Sequence, residues 1–290
     1  MESSSIVHAK YTGAVSGLQA GDPIVTTFGR DEPILVDLGA VDFVDPSGML
    51  ALATACIDAR LYGHSVLVRP PQLSGVATYL VRMRFRDVLA EHGVRFTDTA
   101  FARRVVSDTP LPGRLLELEE LGARQLDGVG ERLVRLGRAV GLRLDVLQRA
   151  FLGLQETLEN ALQHSEQTTA FAVAQRYEDR RSGSTRLEIA VGDIGVGLRE
   201  TLRHRHRVTT DEDAVRLAIR EGVSRFARAG RGEGLFWAVR SVVRDGQGTF
   251  QLRSGSASIH IGSYTESVTA YRVSRDGVQV SLMLRTPGAG

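Results

Sequence analysis

The sequence predicts an α/β protein built as two domains: a small α/β unit, then an α/β sandwich in which helices cover one face of a mixed sheet. Three observations lead there. Short β-type runs alternate with helical ones up to about residue 105, the stretch Arg114 to Ser165 keeps a helical period, and the remainder turns strand-rich. The turn formers Ser107-Asp-Thr-Pro-Leu-Pro-Gly113 separate the two patterns, giving domains over 1–107 and 114–290 with 108–113 as linker.

In the first domain, Ile34 to Leu38 reads as a buried strand and Val41 to Val44 as a second. Met49 to Tyr62 reads as a helix closed by Gly63, Ser65 to Val68 as a strand, and Ala77 to Leu89 as a helical stretch. In the second domain the helical region is expected to break at Gly128, Gly130 and Gly141. Asp145 is a suitable N-cap for a helix reaching Ser165. Strands are expected at Phe171 to Gln175, Arg186 to Val191, Thr249 to Arg253 and Val278 to Leu284.

Composition excludes several classes. With 290 residues and 42% hydrophobic content the chain can form two ordinary cores. A net charge of +2 from 36 basic and 34 acidic residues makes no electrostatic case for a nucleic-acid or membrane partner. Cys56 is the single cysteine, so no disulfide framework or thiolate cluster is available, which fits a reducing cytosol. The apolar run Met49 to Ile57 is too short to span a bilayer, and the N-terminus lacks the basic start of a signal peptide. A cytoplasmic protein is expected.

Chemistry concentrates in three segments of the second domain. On the helix, Leu154, Leu158 and Ala161 define an apolar face, while Glu156, Asn160 and His164 recur at i, i+4 and i+8 as a polar row. A carboxamide oxygen at Asn160 suits Mg2+, which takes one or two protein oxygens plus phosphates. Glu156, one turn away, can orient or deprotonate a nucleophile attacking phosphorus. By itself such a pair is also an ordinary solvated helix face.

Asp193-Ile-Gly195-Val-Gly197 follows a strand. Asp193 can accept from an exocyclic amine such as that of adenine, and Gly195 and Gly197 keep side chains away from a flat base; alone, the segment is equally a β-turn. The third segment, Gly230-Arg-Gly232-Glu-Gly234, leads into the apolar-periodic run beginning at Leu235. Glycine amides at a helix start make an anion site suited to phosphates.

Taken in order, these segments resemble the Bergerat-fold (GHKL) ATPases, the group that includes gyrase, histidine kinases and the anti-sigma serine kinases, over roughly Leu115 to Pro287. The resemblance implies ATP and Mg2+ as cofactors, with Asn160 as metal ligand, Asp193 as adenine contact, and Gly195 and Gly197 beside the base. Gly232 and Gly234 would lie at the phosphates, with Gly230 and Leu235 in the same cofactor-binding segment, and Arg199 to Ala229 would form a lid. Glu156 would be the catalytic base: histidine kinases commonly carry Asn there, and no histidine occurs between Arg114 and Gln163 to accept phosphate. Arg225, Arg228 and Arg231 are equal candidates for a γ-phosphate contact. The run Arg203-His-Arg-His-Arg207 has no interleaved aromatic residue and reads as a solvated or phosphate-facing segment rather than a nucleic-acid site.

Upstream, Ile34 to Leu52 with its Asp45-Pro-Ser47-Gly48 turn is similar to the STAS domain of anti-sigma factor antagonists, over about residues 20 to 105. In that family a serine or threonine in this turn is phosphorylated. Here Pro46 takes the first hydroxyl position and leaves Ser47 as the phosphoacceptor candidate, although Asp45 as N-cap with Pro46 at N1 is also an ordinary helix start.

The combined expectation is an ATP- and Mg2+-binding regulator, serine-kinase-like, with a fused STAS-like domain, acting in partner-switching signalling. Its protein partner would be a STAS-type antagonist or a sigma-like regulator, and a homodimer is compatible with it. Two alternatives stand beside it: an ATP-gated interaction module without turnover, and an ATPase conformational switch.

Overall fold

The computed structural model describes residues 6–29, 32–104, 115–122, 125–139, 141–162, 170–178, 181, 183–220, 223, 234–245 and 247–286; the side chains of 126, 127, 156–158, 160–162 and 245 are outside that description. The chain divides into two compact units. One is Met1–Pro110 with Glu117–Glu119, and the other is Leu111–Leu116 with Glu120–Gly290. The linker expected at 108–113 lies outside the described residues.

The first unit runs β1 (Val7–Val15), a 3-10 turn (Leu18–Gly21), α1 (Asp22–Val25), β2 (Ile34–Val44), α2 (Pro46–Leu61), β3 (Val66–Arg69), α3 (Ser74–Arg82), α4 (Phe85–Glu91), β4 (Arg95–Phe96) and α5 (Thr99–Ala102). Its sheet has the order β1-β2-β3-β4, and all three pairings are parallel. The first six residues of β2 are buried on both faces, as strands of a parallel sheet are. Ile34 to Val44 is thus one strand, where two were expected.

Helix α2 starts where its chemistry says it should. Asp45 is extended (φ −93°, ψ 169°), its Oδ1 accepts from the Gly48 N–H at 2.6 Å, and Pro46 opens the first turn. Pro46 to Ala59 are buried without interruption, the mark of a helix enclosed on all sides. The expected stretch Ala77 to Leu89 is two helices, because Arg84 between them has φ 58°, outside the helical region.

The second unit contains the two ends of β5 (Leu115–Leu121, whose Glu117–Glu119 group with the first unit), α6 (Leu126–Ala139), α7 (Leu144–Leu162), β6 (Ala170–Glu178), β7 (Thr185–Asp193), α8 (Gly197–Leu202), α9 (Asp211–Ala218), α10 (Gly234–Val239), a π-helical segment (Arg240–Asp245), β8 (Thr249–Gly262) and β9 (Thr265–Thr286). The sheet order is β5-β6-β7-β9-β8. The pairings β6–β7, β7–β9 and β8–β9 are all antiparallel.

Three sequence expectations need correction here. Leu115 to Leu121 is a strand: Leu116 and Leu118 are buried around an exposed Glu117, a period of two inside a tract that reads as helical. Helix α6 runs through Gly128 and Gly130, while the break does come at Gly141 (φ 78°). Asp145 lies inside the first turn of α7 rather than capping it, with its carboxylate on Arg143 at 2.6 Å. That guanidinium holds Asp145 below its ordinary pKa.

Helices α6 and α7 cover one face of the sheet. Leu133, Leu136, Leu147, Phe151 and Leu154 share a core with Leu187, Ile189 and Val191 of β7, Phe250 and Leu252 of β8, and Val280 and Leu282 of β9. α9 packs on β8, closed at its start by a capping box between Thr210 and Asp213. Hydrogen bonds from Thr209 and Thr210 lower the Asp213 pKa.

The β8–β9 hairpin is interrupted. Ser254 pairs with Val278, but Ala257 pairs with Ala270, and the register shifts in between at Gly255.

Candidate functional site

The last residue of β7 carries a buried carboxyl. Asp193 is only 4% exposed, and its carboxylate accepts two backbone N–H groups, Gly195 at 2.7 Å on Oδ1 and Val278 at 3.3 Å on Oδ2. Burial pushes its pKa up from 3.8 to about 6, against the opposing pull of those two bonds. With one N–H on each oxygen, both oxygens keep a lone pair free for a further donor.

The turn after Asp193 is held by residues that the sequence reading passed over. The Gly277 N–H donates to the Gly195 carbonyl at 2.6 Å. Ser254 Oγ donates to the Gly277 carbonyl at 2.9 Å and accepts from the Leu198 N–H in the first turn of α8 at 2.8 Å. Gly197 (φ 77°) begins that helix, and a Cβ there would come within 2.9 Å of Ser254 Oγ.

Gly277 is indispensable to this geometry: its φ is 78°, and a Cβ would meet the Asp193 carbonyl carbon at 2.6 Å and Oδ1 at 2.9 Å. An Asp276-Gly277 pair inside an otherwise regular strand run was the available signal, since such a dipeptide marks a turn or bulge.

One link further out, Asp211 at the start of α9 accepts from both the N–H and Oγ of Ser256 at 2.8 Å and lies 3.5 Å from Arg199 Nε of α8. The tract expected as a lid is therefore, as far as Arg220, two helices tied to the β8 bulge. The run Arg203 to Arg207 is largely exposed there, with Arg203 paired to Glu200 at 2.5 Å.

Of the other two motif segments, Glu156 and Asn160 lie on α7, and the described part of the glycine run, Gly234 with Leu235, lies on α10. α10 packs directly on α7. The contact is at Gly153, where a Cβ would run into the Gly234 carbonyl oxygen and stand 2.6 Å from Ala238 Cβ. Gly234 is buried, and Leu235 packs against the core, which gives its side chain a structural place.

Glu156 and Asn160 belong to α7, beginning one turn beyond Gly153, but their side chains are outside the described residues. Gly230 and Gly232, and with them Arg225, Arg228 and Arg231, are outside entirely, as is His164. Among the described residues no cluster of three or more His, Cys, Asp or Glu could hold a metal ion.

In the first unit, Ser47 is 8% exposed and fully engaged. Its Oγ donates to Asp45 Oδ1 at 2.7 Å and accepts from the Gly17 N–H at 3.0 Å. Gly48 beside it leaves no room for a Cβ, which would stand 2.7 Å from the Val15 carbonyl carbon. The turn is thus wedged against the end of β1, and the hydroxyl is used as a structural cross-link.

Among the described residues no helix is long and apolar enough to cross a membrane. A scan against models of protein families finds none that matches the chain, and a search of curated proteins finds no match.

Proposed function

We propose that the second unit binds an adenine nucleotide with Mg2+ and that the chain is a serine-kinase-like regulator of the Bergerat type, its first unit a STAS-like domain for partner-switching signalling. The observation that carries the reading is the Gly153–Gly234 contact: it brings the start of α10, where the glycine run ends, to within one turn of Glu156 on α7. Helix α7 also packs on β7, the strand that ends in the buried Asp193.

In this reading Asp193 receives the amino group of the base, and its two backbone donors hold the carboxylate in place. The backbone at Gly234 contributes to the phosphate end of the site. Asn160 would hold Mg2+, which supplies charge neutralisation on the phosphates when bound. Glu156 takes the proton of an incoming hydroxyl.

Nucleotide titration with and without Mg2+, followed by assay of phosphoprotein and free phosphate, tests this. ATP binding that is lost in Asp193→Asn, with product formation lost in Glu156→Ala, is expected. Absence of nucleotide binding to the wild-type chain overturns the reading.

One observation favours the variant in which the nucleotide is a conformational ligand or the phosphoacceptor is a separate protein. The Ser47 hydroxyl is buried and already bonded on both sides, so phosphorylating it requires the Asp45 turn to open. Phosphosite mapping after incubation with Mg-ATP distinguishes these cases: phosphate on Ser47 rejects the conformational variant.

A further inference from the structure

In the second unit the π-helical segment after α10 and the tip of the β8–β9 hairpin enclose a groove of about 520 Å3. Its lining includes none of Asp193, Gly195, Gly197 and Leu235. The floor is aliphatic and aromatic, from Ile219, Phe236, Val239, Val243 and Ile261.

Two arginines border it. Arg240 and Arg244 are exposed, stand four residues apart, and make no ion pair with any described residue. Arg240 lies over the Trp237 ring at 5.4 Å, which leaves its guanidinium edge available to a carboxylate. Glu266, the acidic residue of the lining, is matched by Arg216 at 3.6 Å, so the rim carries a net positive excess from Arg240 and Arg244. Tyr264, also in the lining and at the two-residue hairpin turn, is fully exposed.

From this combination we infer that the groove docks an acidic peptide segment of a protein partner, seating an apolar side chain on the floor and a carboxylate on Arg240 and Arg244. An aliphatic floor inside a concave wall suits side-chain anchoring, whereas a nucleic acid calls for stacked aromatic platforms along a basic track. The inference does not depend on nucleotide binding.

Selection of a displayed random-peptide library on the full chain tests it. Enriched peptides should combine Leu, Ile or Phe with Asp or Glu, and synthetic copies should bind about tenfold more weakly to the Arg240→Glu/Arg244→Glu variant. Tyr264→Ser, an exposed change that leaves folding intact, should also weaken them, and added salt should reduce binding. No enrichment, enrichment of peptides without carboxylates, unchanged affinity for the double variant, or tighter binding of a single-stranded oligonucleotide than of the selected peptides would each overturn the inference.

Discussion

Gly153 and Gly234 meet backbone to backbone, so that two helices approach more closely than any side chain at position 153 permits. Gly153→Ala adds a favourable helix propensity of about 1 kcal/mol and an overpacking cost of about 1–3 kcal/mol. The clash is with a carbonyl and a neighbouring Cβ rather than a flexible side-chain end, so the cost wins. A lower denaturation midpoint is expected, together with weaker nucleotide binding. A variant as stable as wild type would show that α10 can shift freely on α7.

Gly277→Ala is a harsher change. The residue pays about 1–2 kcal/mol for its left-handed backbone and about 1–3 kcal/mol for the collision with Asp193. Loss of the Gly195 and Val278 bonds to Asp193 follows if the bulge moves. Hydrogen exchange at those two amides reads this directly, and protection equal to wild type is the outcome that rejects it.

Asp193 makes stability depend on pH with a definite sign. Because its pKa rises from 3.8 to about 6 on folding, the native state holds a proton between those values that the unfolded chain has released. Its contribution to stability is fully present below pH 3.8 and declines as pH rises, levelling off above about 6, with a span on the order of 3 kcal/mol. Denaturation of wild type and Asp193→Asn across this window should show wild type losing stability relative to the variant as pH rises toward neutral. A difference independent of pH counts against the buried carboxyl.

Ser47→Ala leaves the Gly17 N–H without its partner in a largely buried turn, a cost of about 1–3 kcal/mol. Ser47→Asp should cost more, since its carboxylate would face Asp45. Amide exchange in the first turn of α2 measures the loosening of both variants; equal protection in all three proteins contradicts the cross-link.

Much of this fold was readable wherever a local rule acted alone. Asp45-Pro46 announced the start of α2 through capping and fixed φ, and Gly63 (φ 87°) marked its end. The strand cores at Phe171 to Gln175 and Val278 to Leu284 followed from their apolar runs. What failed depended on non-local partners. Leu115 to Leu121 became a strand through its place in the sheet, and Gly128 and Gly130 stayed helical because α6 is fastened by Val129 and Leu133 in the core. At the site, Asp193 and Gly195 were legible as a turn, but Ser254 and Gly277, which brace it, come from strands more than fifty residues further along the chain, and no spacing links them.

The register shift at Gly255 sets a parity along the hairpin. Below it the even-numbered Phe250 and Leu252 of β8 face the core; beyond it the odd-numbered Ala257, Ile259 and Ile261 do. The strand thus changes sides in the space of two residues, with Asp211 gripping Ser256 at the crossing. Insertion or deletion of a single residue between Ser254 and Ala257 would turn both isoleucines out into water, whereas a two-residue change preserves the frame. At that crossing, therefore, the arm that ends at Tyr264 can be lengthened or shortened only in even steps, which limits how far its tip can be carried from the body of the sheet.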